Sequence, residues 1–214
     1  MEQKIIDHWI NGSHRSSSSD RFGNVFNPAT GEVISKLPMG NKKDLDEAVI
    51  AAEAAYASWS KISVTKRAQV MFKYKELLES HREELTELIT LEHGKVLIDA
   101  AGSLQRGIEV VDFACGIPHL LKGEFSEQVG TGVDCYSIRQ PIGICSGVTP
   151  FNFPAMVPMW MFPIAIVCGN SFILKPSEKD PSCSMKLAEL MQQAGLPDGI
   201  LNVVHGDKEI VDAI

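Results

Sequence analysis

The feature that most constrains the fold is a stretch without charge: residues 140–174 contain no Asp, Glu, Lys, Arg or His. Within it, a short apolar run (142–148) leads into Pro150-Phe-Asn-Phe-Pro154, and a longer apolar run (155–168) follows. The first run is typical of a buried strand and the second of a buried helix, and Pro154 is tolerated in the first turn of a helix. The stretch therefore predicts a strand–turn–helix unit inside the protein.

A polar amide, Asn152, interrupts this stretch at the predicted junction of strand and helix. Ligands bind at the carboxyl ends of strands in open α/β sheets, and a polar group in an apolar setting needs a hydrogen-bond partner. We therefore expect Asn152 to lie at a ligand site. The simpler alternative is a structural role before the helix.

The residues that follow alternate between strand and helix patterns. The predicted strands lie near 142–148, 171–175 and 200–204, and the predicted helices near 154–168 and 181–194. The second helix has Asp180 as its predicted N-cap, Pro181 in its first turn and Gly195 after its end. Such alternation predicts an α/β fold with a doubly wound, Rossmann-like parallel sheet. Three parallel strands are few for this architecture, so we expect an incomplete sheet in a truncated chain.

The amino-terminal part predicts short strands followed by helices. Asn11-Gly12 and the segment 27–31 are turn signals between strand-like segments. Capping residues and apolar spacing predict four helices. They begin at Asn41 and Ser63 and cover about 82–93, with Gly94 after the end, and about 96–117, with Pro118 as the stop.

The composition changes after this helical part. Residues 123–140 are polar, contain Gly130 and Gly132, and alternate in part. They predict an extended arm of one or two strands, and an arm of this kind outside the main core often pairs with another domain or subunit. We therefore divide the chain into a segment of strands and helices (1–122), an oligomerisation arm (123–140) and the sheet (141–214), and expect a homodimer or homotetramer of the full-length protein.

Charge and cysteine usage exclude several classes of function. The formal net charge is -7, so no basic stripe is available for nucleic acid. The five cysteines are scattered, form no C-x-x-C pair and have no zinc-spaced histidines beside them, which predicts no metal site and free thiols in a reducing compartment, the cytoplasm. We expect each Cys to be a small buried apolar residue rather than a nucleophile, and each His to lie in a loop or on the surface.

The apolar run also has to be compared with a membrane span. It carries Pro154, Pro158 and Pro163 and is shorter than the roughly 20 residues that a spanning helix needs. A buried core helix is therefore the better interpretation. The amino terminus has early acidic residues and no apolar segment of its own, so we predict no signal peptide.

Spacing alone reveals little chemistry. The first predicted strand–helix turn lacks G-x-G-x-x-G, the usual dinucleotide signal. The second strand ends at Lys175, and Glu178 follows three residues later. An acidic residue at this position can accept the ribose hydroxyls of an adenine nucleotide, and Lys175 can donate to the same diol. A solvated surface pair is the alternative, and spacing does not decide between the two.

Several motifs in one order carry a family resemblance. They are Asn27-Pro-Ala-Thr-Gly31, Glu92-His-Gly-Lys95, Thr149-Pro-Phe-Asn-Phe-Pro154, Cys168-Gly-Asn170, Lys175-Pro-Ser-Glu178, Gly195-Leu-Pro-Asp-Gly199 and Asn202-Val-Val-His-Gly206. Together they resemble the aldehyde dehydrogenase superfamily over essentially the whole chain. Phe151 stands where the family commonly has Trp. With the Met-rich helix that follows, this resembles the methylmalonate-semialdehyde dehydrogenases, the coenzyme-A-acylating branch.

The resemblance implies roles for individual residues. Asn152 matches the amide that donates to the developing oxyanion. Thr149 and Phe151 match contacts to NAD, and Lys175 and Glu178 match the adenosine-ribose contacts, with Lys179 beside them. The family's nucleophilic Cys and general-base Glu would lie beyond Ile214, so the 214-residue chain is predicted to be inactive alone.

For the full-length enzyme, the resemblance implies oxidation of a small semialdehyde with NAD and transfer to coenzyme A, with loss of CO₂. Arg106 matches a contact to the substrate carboxylate, for which a guanidinium is well suited, and Gly107 is expected to leave room for the substrate. From spacing alone, Arg106 is better interpreted as a solvated helix charge. Two alternatives remain: a hydrolytic aldehyde dehydrogenase, and a non-catalytic nucleotide-binding or assembly fragment.

Overall fold

The computed structural model describes residues 4–214, which form nine strands and eight helices. The strands are β1 His8–Ile10, β2 Ser13–Arg15, β3 Phe22–Asn27, β4 Glu32–Pro38, β5 Phe125–Gly130, β6 Val133–Tyr136, β7 Ile144–Val148, β8 Ser171–Lys175 and β9 Leu201–Val203. The helices are α1 Lys42–Trp59, α2 Val64–Ser80, α3 Arg82–His93, α4 Leu97–Cys115, α5 Ile117–Leu120, α6 Met156–Val167, α7 Ser182–Gln193 and α8 Lys208–Ala213.

The main sheet has five strands in the order β2-β1-β9-β8-β7. β7, β8 and β9 are parallel and are joined through α6 and α7, so the predicted alternation of strands and helices is confirmed. The sequence predicted short strands around the Asn11-Gly12 turn but not that they join this sheet. β1 pairs antiparallel with β9 through Trp9 and Val203, and the hairpin of β1 and β2 extends the sheet.

Helices cover both faces of this sheet. Phe172 and Leu174 of β8 belong to the larger apolar core, which includes residues of α6 and α7. The intervening residue, Ile173, points to the other face and packs with residues of α1 and α8. This alternation follows from the period of two in a strand. The predicted doubly wound α/β fold is confirmed, and the carboxyl ends of its parallel strands open at one edge.

β7 differs from the prediction of a buried strand. Among residues 4–214, only β8 pairs with it, and Ile144 and Val148 are 37% and 44% exposed. The apolar composition of residues 142–148 suited a central strand, but in this structure the segment forms the edge of the sheet.

Gly107 allows two long helices to pack closely. A Cβ atom at this position would lie 2.2 Å from Cε of Met159 and 3.4 Å from Cα of Met156. Gly107 is therefore buried between α4 and α6, and its lack of a side chain serves helix packing. The expectation that it leaves room for a substrate is wrong.

Two predicted helix ends are confirmed. The Asn41 side chain accepts hydrogen bonds from the backbone N–H groups of Lys43 and Asp44. The Asp44 carboxylate in turn accepts from the backbone N–H of Asn41, which completes a capping box at the start of α1. α3 ends at Gly94, whose φ of 85° places it in the left-handed region that glycine adopts without steric cost.

Three other helix ends differ from the prediction. α4 ends at Cys115, and Pro118 lies in the first turn of α5 instead of stopping α4. α6 begins at Met156, two residues after Pro154. α7 begins at Ser182 with Pro181 in the N-cap position and no side-chain cap, so the capping role expected for Asp180 is wrong.

Strands β5 and β6 form a separate antiparallel ribbon within residues 123–140. Every residue of the two strands is exposed, including Phe125, Val129 and Tyr136. The extended shape expected for this arm is present, whereas its pairing with a subunit stays a prediction, as does the division of the chain at residues 122 and 140. No helix within residues 4–214 has the length and apolar character needed to cross a membrane.

Candidate functional site

The carboxyl ends of β7 and β8 bring two predicted site residues together. Val148 is paired with Lys175, and the backbone N–H of Thr149 donates to the carbonyl of Lys175 at 3.0 Å. Thr149 is 4% exposed, yet its hydroxyl has no hydrogen-bond partner among the described residues. A buried hydroxyl without a partner is costly unless a ligand satisfies it.

Lys175 and Glu178 form an ion pair at this edge, with Nζ and Oε2 2.9 Å apart. Burial acts to raise the pKa of Glu178, but its backbone hydrogen bond and the Lys175 ammonium outweigh burial and hold that pKa below its ordinary value. Glu178 is therefore a carboxylate at neutral pH. The edge presents a donor and an acceptor side by side.

Phe151 lies between two residues that approach its ring. The ammonium nitrogen of Lys179 is 4.4 Å from the ring centroid, within the range of a cation–π contact. The His93 ring lies 6.2 Å away at an interplanar angle of 30°. Phe151 nevertheless remains 47% exposed, so it keeps an open surface beside Glu178.

These residues line a groove with a volume of about 450 Å³. Its walls come from β3 and the turn after it, from the end of α3 and from the segments that follow β7 and β8; they are Asn24, Phe26, Pro28, Glu92, His93, Phe151, Glu178, Lys179 and Asp180. Two grooves of about 610 and 510 Å³ lie against α3 and α4 and contain none of the predicted site residues.

Asn152 is exposed in the turn that follows β7. Its backbone carbonyl accepts a hydrogen bond from Nζ of Lys95 at 2.8 Å. The sequence suggested an apolar environment for this amide, but the turn follows an edge strand, which leaves Asn152 open to solvent. Its side chain is therefore available to a ligand.

Arg106 lies apart from these residues, exposed on α4. It lines a groove of about 530 Å³ with Glu109, Val110, Phe113, Trp160 and Ile164. No carboxylate of residues 4–214 forms an ion pair with it. The groove combines the Arg106 guanidinium and the Glu109 carboxyl with aromatic and aliphatic side chains, so Arg106 is the cationic group in it that could bind a carboxylate.

Comparison with known proteins decides the family. The profile of the aldehyde dehydrogenase family matches residues 14–214. The chain belongs to the aldehyde dehydrogenase family. The resemblance inferred from the motifs is thereby confirmed.

Malonate- and methylmalonate-semialdehyde dehydrogenases are among the most similar relatives. The malonate-semialdehyde dehydrogenase of Pseudomonas aeruginosa is 54% identical over 98% of this chain and 42% of its own length. The mitochondrial acylating methylmalonate-semialdehyde dehydrogenase of Arabidopsis thaliana is 51% identical over 98% of this chain and 34% of its own length.

A solved structure agrees with the fold in detail. The protein is named as a methylmalonate-semialdehyde dehydrogenase from Sinorhizobium meliloti 1021 and was crystallised with NAD; it matches with a TM-score of 0.97 at 53% identity, over 100% of this chain and 43% of its own. The chain thus spans less than half the length of the relatives that it matches.

Sequence reasoning missed several residues around the candidate site. His93 and Lys95 contact Phe151 and Asn152, and their motif, 92–95, was recognised without a role for either side chain. Glu92 accepts from the backbone N–H and the hydroxyl of Ser182, at 2.9 and 2.6 Å. This bond joins the end of α3 to the start of α7, and long-range contacts of this kind have no local sequence signal.

Two histidines were predicted wrongly. His8 and His205 are fully buried rather than in loops or on the surface. His8 accepts from the backbone N–H of His205 through Nδ1 at 3.0 Å, and its Nε2 faces Asp44 Oδ2 at 3.4 Å. Burial lowers the pKa of both residues, and that of His205 falls to about 3, so both rings are neutral at physiological pH.

The cysteines differ in exposure. Cys115 and Cys183 are buried as predicted, Cys145 and Cys168 are half-buried, and Cys135 is exposed on the arm, contrary to the prediction. Burial raises the thiol pKa of Cys115, Cys145, Cys168 and Cys183. Those four thiols are therefore protonated at neutral pH, which makes them poor nucleophiles. No cluster of metal-binding side chains was found among residues 4–214.

Asp180 is a buried carboxyl at the edge of the groove. Burial and then the neighbouring Glu92 raise its pKa to about 7, although Ser177 and Lys95 act in the opposite direction. Its folded pKa thus exceeds the ordinary value of 3.8, and the folded chain binds more protons than the unfolded chain between these values. Stability from Asp180 is therefore present at low pH and is lost as pH rises toward 7.

Replacement of Asp180 by Asn is expected to remove this pH dependence. The melting temperature of the Asp180→Asn chain should exceed that of the wild type at pH 8 by a few degrees, because about 1 kcal/mol corresponds to roughly 2–4 °C at this chain length. Calorimetric scans at pH 5 and pH 8 would test this. A melting temperature that falls equally at both pH values would show that the Asp180 side chain stabilises the fold irrespective of its charge.

Proposed function

We propose that the edge formed by Thr149, Phe151, Lys175, Glu178 and Lys179 binds NAD. An adjacent donor and acceptor, Lys175 and Glu178, suit the two hydroxyls of a ribose. The buried, unpartnered hydroxyl of Thr149 fits a polar ligand at the same edge. The NAD complex of the Sinorhizobium meliloti protein supports this assignment. When bound, NAD supplies the acceptor for a hydride.

The chain is, on this proposal, the NAD-binding part of a coenzyme-A-acylating methylmalonate- or malonate-semialdehyde dehydrogenase. That enzyme oxidises the semialdehyde with NAD and forms acyl-coenzyme A and CO₂. The observation that carries the proposal is the Lys175–Glu178 ion pair at the end of β8. It lies beside Thr149, which follows β7 and leads into the turn that contains Asn152. The names of the relatives from Pseudomonas aeruginosa and Arabidopsis thaliana support the substrate, and the second name includes acylation.

Two residues would act on the substrate. Asn152 donates its side-chain amide to the oxygen that becomes negative in the transition state, where a preorganised neutral donor is most effective. Arg106 binds the free carboxylate of the semialdehyde. Its support is the unpaired guanidinium in the groove with Trp160, because guanidinium binds carboxylate in a bidentate manner.

The arm is proposed to join subunits in the full-length homodimer or homotetramer. Its support is the exposure of Phe125, Val129, Val133, Tyr136 and Ile138 on a ribbon with unpaired edges, a surface that strand pairing would cover. The free thiols of all five cysteines support a reducing compartment such as the cytoplasm.

The function can be tested with two proteins: the chain itself and a fusion enzyme. In the fusion enzyme, Ile214 is joined to the part of the Pseudomonas aeruginosa relative that follows the matched region. We expect the chain to bind NAD in a calorimeter but to form no NADH from malonate semialdehyde, since four of its thiols are held protonated. The fusion enzyme should form NADH and acyl-coenzyme A.

The controls separate the alternatives. NADH formation that is independent of coenzyme A and yields a free acid would favour a hydrolytic aldehyde dehydrogenase. A chain that binds no NAD would exclude the proposed site. Aldehyde oxidation by the mass-verified chain alone would contradict its predicted inactivity.

Glu178 should determine the choice of coenzyme. The 2′-phosphate of NADP would be repelled by the Glu178 carboxylate, and the contacts to the ribose diol would be lost. We therefore expect NAD to bind more tightly than NADP. Glu178→Gln should narrow the ratio of the two dissociation constants by about tenfold, because one contact of this type contributes about 1.5 kcal/mol. Calorimetric titration of the chain with both nucleotides would measure it. An unchanged ratio would remove Glu178 from the ribose site.

A further inference from the structure

The corner between α3 and α4 contacts the Asn152 turn at three points. Nζ of Lys95 donates to the Asn152 carbonyl at 2.8 Å and lies 4.6 Å from the centroid of the Phe153 ring. The His93 ring stacks against Phe151 at 6.2 Å. One short segment therefore contacts the residue before Asn152, Asn152 itself and the residue after it.

The corner is itself held in place. Gly94, between His93 and Lys95, has a φ of 85°, and a Cβ atom there would lie 2.7 Å from Cγ of Pro28. A residue other than glycine would be strained in this conformation and would collide with Pro28. The corner thus reaches the turn from a fixed position on the helical part of the chain.

The turn has few other restraints. It is exposed at the end of an edge strand, and Lys95 is the only side chain within residues 4–214 that hydrogen-bonds to residues 150–153. Burial lowers the pKa of Lys95, with Asp180 and Asp99 acting in the opposite direction. The Asn152 peptide is therefore held chiefly by Lys95.

We propose that Lys95 is a positioning residue for Asn152: through the Asn152 carbonyl and the Phe153 ring, it fixes the direction in which the Asn152 amide points. The catalytic part of this inference rests on the proposed function of Asn152 as an oxyanion donor. The restraint itself does not, and it can be measured without catalysis. A purely structural lysine would stabilise the chain without affecting the order of the Asn152 side chain.

The restraint can be tested by nuclear magnetic resonance on the chain. Nitrogen-15 relaxation would report the order of the Asn152 side-chain amide and of the backbone at 151–153. Lys95→Met should lower the backbone order parameters at 151–153 from about 0.85 toward about 0.6 and should lower the order of the Asn152 side-chain amide with them, whereas Lys95→Arg, which keeps the donor, should preserve both. Lys42→Met is the matched control, since Lys42 is exposed and, within residues 4–214, forms an ion pair with Asp46 alone. Unchanged order in Lys95→Met would overturn the proposal.

The catalytic consequence can be tested with a double-mutant cycle in the fusion enzyme. Lys95→Met should lower kcat about tenfold, as expected for one charge-assisted bond, at an unchanged dissociation constant for NAD. Combined with Asn152→Ala, it should cause no further loss, because the two residues act as a unit. If the kcat losses of the two single variants multiply in the double variant, the positioning role is overturned.

Further controls separate the possible failures. Circular dichroism would verify folding, and Lys95→Gln, whose shorter and uncharged side chain weakens this bond and should lower the order in the same direction, replaces Lys95→Met if that variant unfolds. A wild-type fusion enzyme without aldehyde oxidation would count against the proposed function. In that event, the relaxation data on the chain alone decide whether Lys95 restrains Asn152.

Discussion

Asn152→Ala is expected to lower kcat of the fusion enzyme by about 10²–10³-fold, the usual effect of losing one oxyanion donor. The side chain is exposed in the turn after β7, so its removal leaves no buried polar group unpaired and no cavity. The dissociation constant for NAD should stay unchanged, because the ribose contacts come from Lys175 and Glu178. Steady-state kinetics and calorimetry would measure both quantities.

The control for this prediction is another exposed amide. Gln193 lies on α7 and is exposed, so Gln193→Ala should leave kcat unaltered. If Asn152→Ala instead lowers the melting temperature and the rate together, while the residual folded enzyme has normal kcat, the amide is structural.

Arg106→Leu is expected to raise the KM for malonate semialdehyde by roughly 10–100-fold, since a hydrogen-bonded charge pair contributes about 1.5–3 kcal/mol. Propanal carries no carboxylate, so its KM should be nearly unaffected. The variant should fold normally, because Arg106 is exposed and its guanidinium has no ion-pair partner among residues 4–214. Initial rates of the fusion enzyme with both aldehydes would provide the comparison.

Arg15 provides the matched control, since it is an exposed arginine of β2, 3.9 Å from Glu47. Arg15→Leu should change neither KM. Equal changes for both aldehydes in Arg106→Leu would assign Arg106 to packing of the groove. No change for either would make it a solvated charge and would weaken the methylmalonate-semialdehyde assignment.

Features with a local physical cause were predictable from the sequence. The capping box at Asn41 and the left-handed Gly94 depend on residues within one helical turn. The parallel strands β8 and β9 follow from apolar runs separated by helix patterns. The edge that gathers Thr149, Lys175 and Glu178 was predictable as well, because carboxyl ends of parallel strands meet on one side of a sheet.

Features that depend on distant partners were not predictable. The exposure of β7 depends on which strands flank it, and this cannot be predicted from the composition of β7 alone. Gly107 is small because Met159 on another helix needs the space. His8 and His205 are adjacent in space but lie at opposite ends of the chain, so neither ring could be recognised as buried. The contacts of His93 and Lys95 with the Asn152 turn fall in the same class.

The pairing of β1 with β9 has a consequence for how the protein is made. Trp9 pairs with Val203, which is far from it in sequence. Such a non-local contact slows folding, because the intervening chain must close into a loop before the contact can stabilise the fold. At a synthesis rate of about 5–20 residues per second, β1 leaves the ribosome roughly 10–40 s before β9. During that interval the hairpin of β1 and β2 has an unpaired edge. The β1 strand of the nascent chain is thus left without its second partner until β9 has emerged.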